Sequence, residues 1–251
     1  MVQYDPRSVS AIAGQSTPIF GALARWRYCL AVVVLFASAV LFVGLLQDVL
    51  LLGGIIPKSS KIWLLDVDVE QSVFTWISVL AFFFAAQLLF QLGREAIAWN
   101  SGFKWHWLFL AALFLLLSLD EFSGIHEKIS AGLASQFDNT GLFYFAWAAP
   151  AGLLALLGLA AFIPFIRSFP PRLAMLLMLS AAIFLFGAVG MEMVGGAMAE
   201  AAGVESPTYR LATNLEEAAE LSGVLLFIYV LLAYRETTND GKNRPVTLRN
   251  G

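Results

Sequence analysis

Apolar residues in this chain neither alternate with polar ones nor mark a single helical stripe. They come in long blocks separated by short polar turns. A helix needs about 20 predominantly apolar residues to cross a bilayer. Blocks that reach this length on their own, or by taking in a few flanking acids, lie at 28–52, 72–92, 105–128, 142–166, 173–198 and 213–234. Transmembrane β-strands would instead alternate apolar and polar residues. The pattern predicts an all-α integral membrane protein, a bundle of six transmembrane helices. It divides into an N-terminal segment 1–27, one transmembrane domain 28–234, and a polar tail 235–251 expected to be disordered.

The punctuation agrees with the blocks. Gly53, Gly54 and Pro57 end the first, and Arg167, Pro170, Pro171 and Arg172 form a tight basic turn between the fourth and fifth. Trp99, Trp105 and Trp107 bracket the turn after the second block, as an interfacial aromatic belt does. Residues 1–25 hold no apolar core before a cleavage site, so the first span is expected to act as an uncleaved anchor.

Composition sharpens the class. The chain is 59% hydrophobic and 13% charged, with a mean hydropathy of +0.77, where a soluble domain carries about 25% charged residues. Cys29 is the only cysteine, which excludes an intramolecular disulfide and the four-cysteine zinc sites. No basic, aromatic-interleaved patch marks a nucleic-acid surface. With six spans both termini share one side. Arg7, Arg25, Arg27, Arg94, Lys104, Arg167, Arg172, Arg235, Lys242, Arg244 and Arg249 then fall there, against Lys58, Lys61, Lys128 and Arg210 on the other side. The positive-inside rule makes both termini cytoplasmic and the chain a multi-pass protein of the plasma (inner) membrane.

Candidate chemistry lies in the acids. The stretch 118–128, SLDEFSGIHEK, continues directly from an apolar block and carries Asp120, Glu121, His126 and Glu127. Glu192 interrupts the fifth block among glycines, and Glu216, Glu217 and Glu220 open the sixth. Counted at 1.5 Å per residue from the cytoplasmic ends, all of them lie roughly 21–33 Å up, in the outer third of the membrane and its outer interface. The apolar remainders 105–119 and 221–234 are too short to cross alone, so each helix must carry its acids inward. Charged groups at such depth are costly and mark functional sites.

Helical spacing places Asp120, Ser123 and Glu127 on one face, His126 beside it, and Glu121 elsewhere. Glu217 and Glu220 share a face at i,i+3, as Glu216 and Glu220 do at i,i+4. Small residues around Glu192 and Glu220 allow close helix approach. Two carboxylates about 4 Å apart repel by about 4 kcal/mol at an effective dielectric near 20, and Lys128 and Arg210 are too few to offset the cluster. Bound cations or shared protons must do so.

Structural readings stand beside this one. Thr213-x-x-Glu216 fits a capping box, Glu217 in the same turn would complement the helix dipole, and Lys128 would pair on the surface. His106, between Trp105 and Trp107, reads as an interface residue. Met191, Met193 and Met198 read as packing, and Asp48 lies near the outer end of the first span.

Oxygen-rich ligands with one nitrogen suit iron, manganese or zinc. The expectation is a divalent or di-metal site formed by Asp120, His126, Glu127, Glu192, Glu217 and Glu220, with Glu127 and Glu220 as candidate general bases in an enzyme acting on a lipid or other apolar small molecule. In ligand type it is analogous to di-iron carboxylate bundles, although no Glu-x-x-His occurs. The alternatives are a cation or proton transporter using the same acids, and a non-catalytic membrane subunit holding a structural cation. Membrane lipids are the expected surroundings, and nothing in the sequence specifies an oligomeric state.

Overall fold

A computed structural model describes residues 26–134 and 139–239. The expectations for the segment before Trp26 and for the tail beyond Asn239 lie outside the described residues.

The described chain is helical throughout. Helix α1 spans Trp26–Leu52, α2 Val73–Ala98 and α3 Lys104–Ser123. A short α4, Ile125–Ala134, follows. Then come α5 (Ala148–Ala161), α6 (Ile163–Arg167) and α7 (Pro171–Leu185). A π-helical turn, Phe186–Met191, joins α7 to α8 (Glu192–Ala202), and α9 (Pro207–Asn239) ends the described chain. Five segments are long and apolar enough to cross a membrane: α1, α2, α3, the α7–α8 run to Ala202, and α9.

The fourth block departs from expectation. Rather than one span over 142–166, it forms a 3-10 turn at Gly141–Phe143, the 14-residue α5 and the 5-residue α6. Proline explains the break at Ile163. Pro164 lacks the N–H that would continue α5 and tolerates only the first turn of a helix. The boundaries of the last block also move outward at both ends. Helix α9 begins at Pro207, inside the expected loop, and runs to Asn239, so residues 235–239 continue the helix instead of starting a disordered tail.

Local chemistry sets the other ends. The Ser72 side chain accepts from the Thr75 N–H at 3.1 Å and caps α2. Gly124 ends α3 in the left-handed region at φ 54°, where a side chain would be strained. Helix α9 is the axis of the bundle and touches α1, α2, α7, the π turn and α8. Gly223 lets it approach α7, where a Cβ would meet the Phe184 backbone nitrogen at 2.8 Å. Ser180 Oγ donates to the Gly223 carbonyl at 2.9 Å across the same contact. Helices α2 and α3 form an antiparallel hairpin, tied where Ser118 Oγ donates to the Val79 carbonyl at 2.9 Å.

One end of the bundle is closed by aromatic packing. Trp107, Phe165, Phe169 and Tyr234 stack edge and face with centroids 4.7–5.6 Å apart. His106 lies against Phe103, Phe162 and Phe165 in this layer, as a packing residue rather than a ligand. At this end Arg27 of α1 pairs with Glu236 of α9 at 2.7 Å, and Arg235 pairs with Glu95 of α2 at 3.5 Å. In α1 only 17% of the apolar window is buried, so most of its surface faces the surroundings of the bundle.

Candidate functional site: an acidic pocket at one end of the bundle

The opposite end holds the acids. A pocket of about 730 Å³ opens between α4, α8, α9 and the loop before α2. Its walls include Glu121, His126, Glu127, Glu192, Glu216 and Glu217, with Asp68 and Glu70 from the loop. No lysine or arginine lies among its described lining residues.

Gly124 builds the first wall. It lets the chain turn from α3 into α4, and the turn folds His126 back onto Asp120. The Asp120 carboxylate accepts from the His126 backbone N–H at 2.8 Å and meets its Nδ1 at 2.9 Å. The ring packs on Trp147 with centroids 4.9 Å apart, and its electrostatic neighbours are Asp120, Glu192 and Glu127. Burial alone would lower the His126 pKa. The Asp120 hydrogen bond and the surrounding acids outweigh it and lift the imidazolium to about 9. Both Asp120 oxygens are engaged by His126, so Asp120 stands as the group that orients the imidazole.

The π turn builds the second wall. It brings Gly187 against α9, where a Cβ would meet the Glu216 carbonyl and the Glu220 Cγ at 2.8 Å each. Single π turns inside α-helices are frequently found at functional sites. Here the turn ends at Glu192, whose Oε1 accepts from Trp147 Nε1 at 2.7 Å. Glu192 also stands within hydrogen-bonding reach of the Glu216 carboxyl.

Helix α9 supplies the third wall. Glu217 lines the pocket within electrostatic range of Glu121, Glu220, Asp68 and Glu192, while Glu220 lies outside the described lining, within electrostatic range of Glu121, Glu192, His126 and Asp120. Glu127 sits at the mouth, its carboxylate beside that of Glu70 next to Gly124. The expected residues are therefore neighbours. Yet among the described residues no three His, Cys, Asp or Glu groups are arranged to close on a single metal ion in this conformation.

Several side chains stand differently from the sequence reading. Glu121, placed on another face from Asp120, lines the pocket while Asp120 lies behind His126. Glu216 caps nothing, because Thr213 lies inside α9 and its hydroxyl donates to the Tyr209 carbonyl at 3.2 Å. The hydroxyl at the start of α9 is that of Ser206, which accepts from the Tyr209 N–H at 3.3 Å. Trp147, Glu70 and Asp68 were not singled out. Trp147 lies inside an apolar block and the two acids in a loop of mixed charge, so the pattern does not mark them.

Arg210 does not serve the glutamates. It is buried and holds Asp48 of α1 at 3.0 Å and Asp68 of the loop at 2.6 Å, and it also bonds Asp66. Asn214 adds a bond to Asp48 at 3.0 Å, and Lys61 pairs with Asp66. Burial would raise the Asp66 pKa, but the bonds from Lys61 and Arg210 hold it below the usual range. For Asp68 burial prevails and pushes the carboxyl up to about 6. Lys128 donates to the Ser123 carbonyl. The two bases nearest the glutamates are thus bonded to other groups.

No curated protein and no solved structure matches the chain. One family, described as "Domain of unknown function (DUF8692)", matches residues 28–234 and so takes in every wall of the acidic pocket. The chain belongs to that family.

Proposed function

We propose that this protein is a metal-dependent membrane enzyme whose acidic pocket binds a divalent cation and acts on a lipid or other apolar small molecule. The observation that carries the reading is the charge balance of the pocket. Acids from α3, α4, α8 and α9 face one cavity in which His126 is the only described basic side chain. Carboxylates at such spacing need a cation or protons between them. The donor set, oxygen-rich with one imidazole, suits iron, manganese or zinc.

In this reading His126, Glu192, Glu217 and Glu220 would hold the ion, and Asp120 fixes the imidazole from behind. A divalent ion there acts as a Lewis acid. Glu127, at the mouth, is placed to take a proton from an incoming group, a better position for a general base than that of Glu220.

The same reading includes six crossings in the plasma membrane with both termini cytoplasmic. Arg27 near the start of α1 pairs with Glu236 near the end of α9. Five crossings would leave those ends on opposite faces, so the α5–α6 segment supplies the sixth. Arg94, Lys104, Arg167 and Arg172 fall on the side of the termini, which the positive-inside rule makes cytoplasmic.

Metal analysis of protein purified without chelators tests the proposal. The parent is expected to carry one or two equivalents of a transition metal, and Glu192→Ala and Glu220→Ala at least tenfold less. A metal-free parent overturns it. A cation or proton pathway is the second reading, favoured by the π-helical interruption beside Glu192, since transporters build ion sites at broken helices. It takes precedence if proteoliposomes made from the metal-free parent show a cation or proton flux that both variants lose.

A further inference from the structure

Behind the acidic pocket lies a groove of opposite character. It has a volume of about 220 Å³ and is lined by Phe109, Phe114, Phe162, Phe184 and Phe227 with aliphatic residues of α3, α5, α7 and α9. No charged side chain lies among its described lining residues. Ser180 is its polar exception, and that hydroxyl is already bonded to the Gly223 carbonyl at 2.9 Å.

The groove and the pocket share their helices in register. On α3, Leu117 of the groove stands one turn before Glu121 of the pocket. On α9, Gly223 and Val224 of the groove stand one turn beyond Glu220, itself one turn from Glu216. Leu185 of the groove directly precedes the π turn that ends at Glu192. The two spaces are therefore stacked along the bundle. From Glu217 to Phe227 the helix rises roughly 15 Å.

We infer that the pocket and the groove form one bipartite site for a single-chain amphiphile with an ammonium head group. This rests on the reading that the acidic pocket is where substrate is handled, and it names the substrate class. The tail follows from place and size. The groove lies among helices that span the membrane, where alkyl chains are the surroundings. Its volume is about seven times the ~30 Å³ share of one water molecule, a scale that suits one chain rather than two. The sign of the head follows from charge. Asp68, Glu70, Glu121, Glu127, Glu192, Glu216 and Glu217 line the pocket, and Asp68 is paired with Arg210. Six carboxyl groups remain. A divalent ion held by a neutral His126 offsets two of their formal charges, and protons shared between neighbouring carboxyls lower the excess without making the pocket positive, so a cationic head is attracted and an anionic one repelled.

The test uses the full chain in lipid nanodiscs, with radiolabelled ligands and empty nanodiscs as the blank. Dodecylamine is expected to bind saturably, at least tenfold tighter than butylamine and at least tenfold tighter than dodecanoate. Gly158 of α5 lines the groove, and a Cβ added there meets nothing within 4 Å, so a larger side chain enters the space without a backbone clash. Gly158→Leu is expected to weaken dodecylamine at least tenfold while leaving butylamine binding and metal content at parent levels. Dodecanoate binding as tightly as dodecylamine overturns the head-group assignment. Parent-like dodecylamine binding by Gly158→Leu overturns the tail assignment. A parent that holds its metal but binds no dodecylamine sinks this inference alone, whereas loss of both sinks the reading beneath it as well.

Discussion

His126 is the one imidazole among the pocket's described lining residues, and its ring can be followed by titration. Its partner is fixed by geometry, with both Asp120 oxygens on the same residue. The folded-state pKa of about 9 lies above the ordinary 6.5. A raised histidine contributes stability that is fully present below about pH 6.5 and is lost as pH rises through about 9. The pair is partly exposed, so we expect about 1 kcal/mol from it after solvent screening. In ¹⁵N-histidine NMR of protein stripped of metal with a chelator, one imidazole should titrate near pH 9. Asp120→Asn should lower that midpoint by more than one unit. A parent midpoint near 6.5 would show that Asp120 does not hold the imidazolium.

At the scale of elements, the π turn Phe186–Met191 does what a regular helix would not. It aims Glu192 at Trp147 and Glu216 while α7 and α8 still read as one crossing. Gly187 is the residue that permits it, since α9 backbone occupies the place of its side chain. Overpacking of this kind costs about 1–3 kcal/mol. Gly187→Ala should therefore lower the thermal midpoint and the metal content together. Gly190→Ala, in the same turn, meets only Phe186 at an ordinary 3.5 Å and should leave both near the parent. Equal effects from the two substitutions would mean that the approach of α9 does not set the wall.

At the scale of the whole molecule the two ends are chemically opposite. One is sealed by the aromatic layer around Trp107 and rimmed by Arg27, Arg235 and their acid partners. The other carries the acidic pocket and the buried cluster in which Arg210 joins α1, the loop before α2 and α9. Removing a buried partner of that kind leaves a charge uncompensated, so the cluster holds the pocket-lining loop against α1 and α9. The proposed orientation can be read from labelling in a Cys29→Ala background. The side chain introduced by Lys58→Cys should react with an impermeant maleimide on intact cells, and that introduced by Arg94→Cys only after the membrane is opened. The reverse pattern would invert the topology.

The run lengths of apolar residues by themselves determined the helical class and the helices long and apolar enough to cross a membrane, because burial in lipid demands a continuous apolar surface whatever the neighbours are. Asp120, His126, Glu192, Glu217 and Glu220 stood out for the same reason, as costly groups in greasy helices. What faces what was decided only by tertiary structure. Periodicity carried Asp120, Ser123 and Glu127 along one straight helix. Gly124 ends that helix, and the turn sends Asp120 behind His126 and Glu121 into the pocket. Likewise Thr213 had the spacing of a cap, but the helix begins at Pro207, where Ser206 is available and Arg210 is drawn into the aspartate cluster. Proline broke the fourth block, and a π turn with no sequence signature beyond its glycines set the direction of Glu192. Local pattern reports what each segment must bury. Only packing against α9 settles which side chains meet.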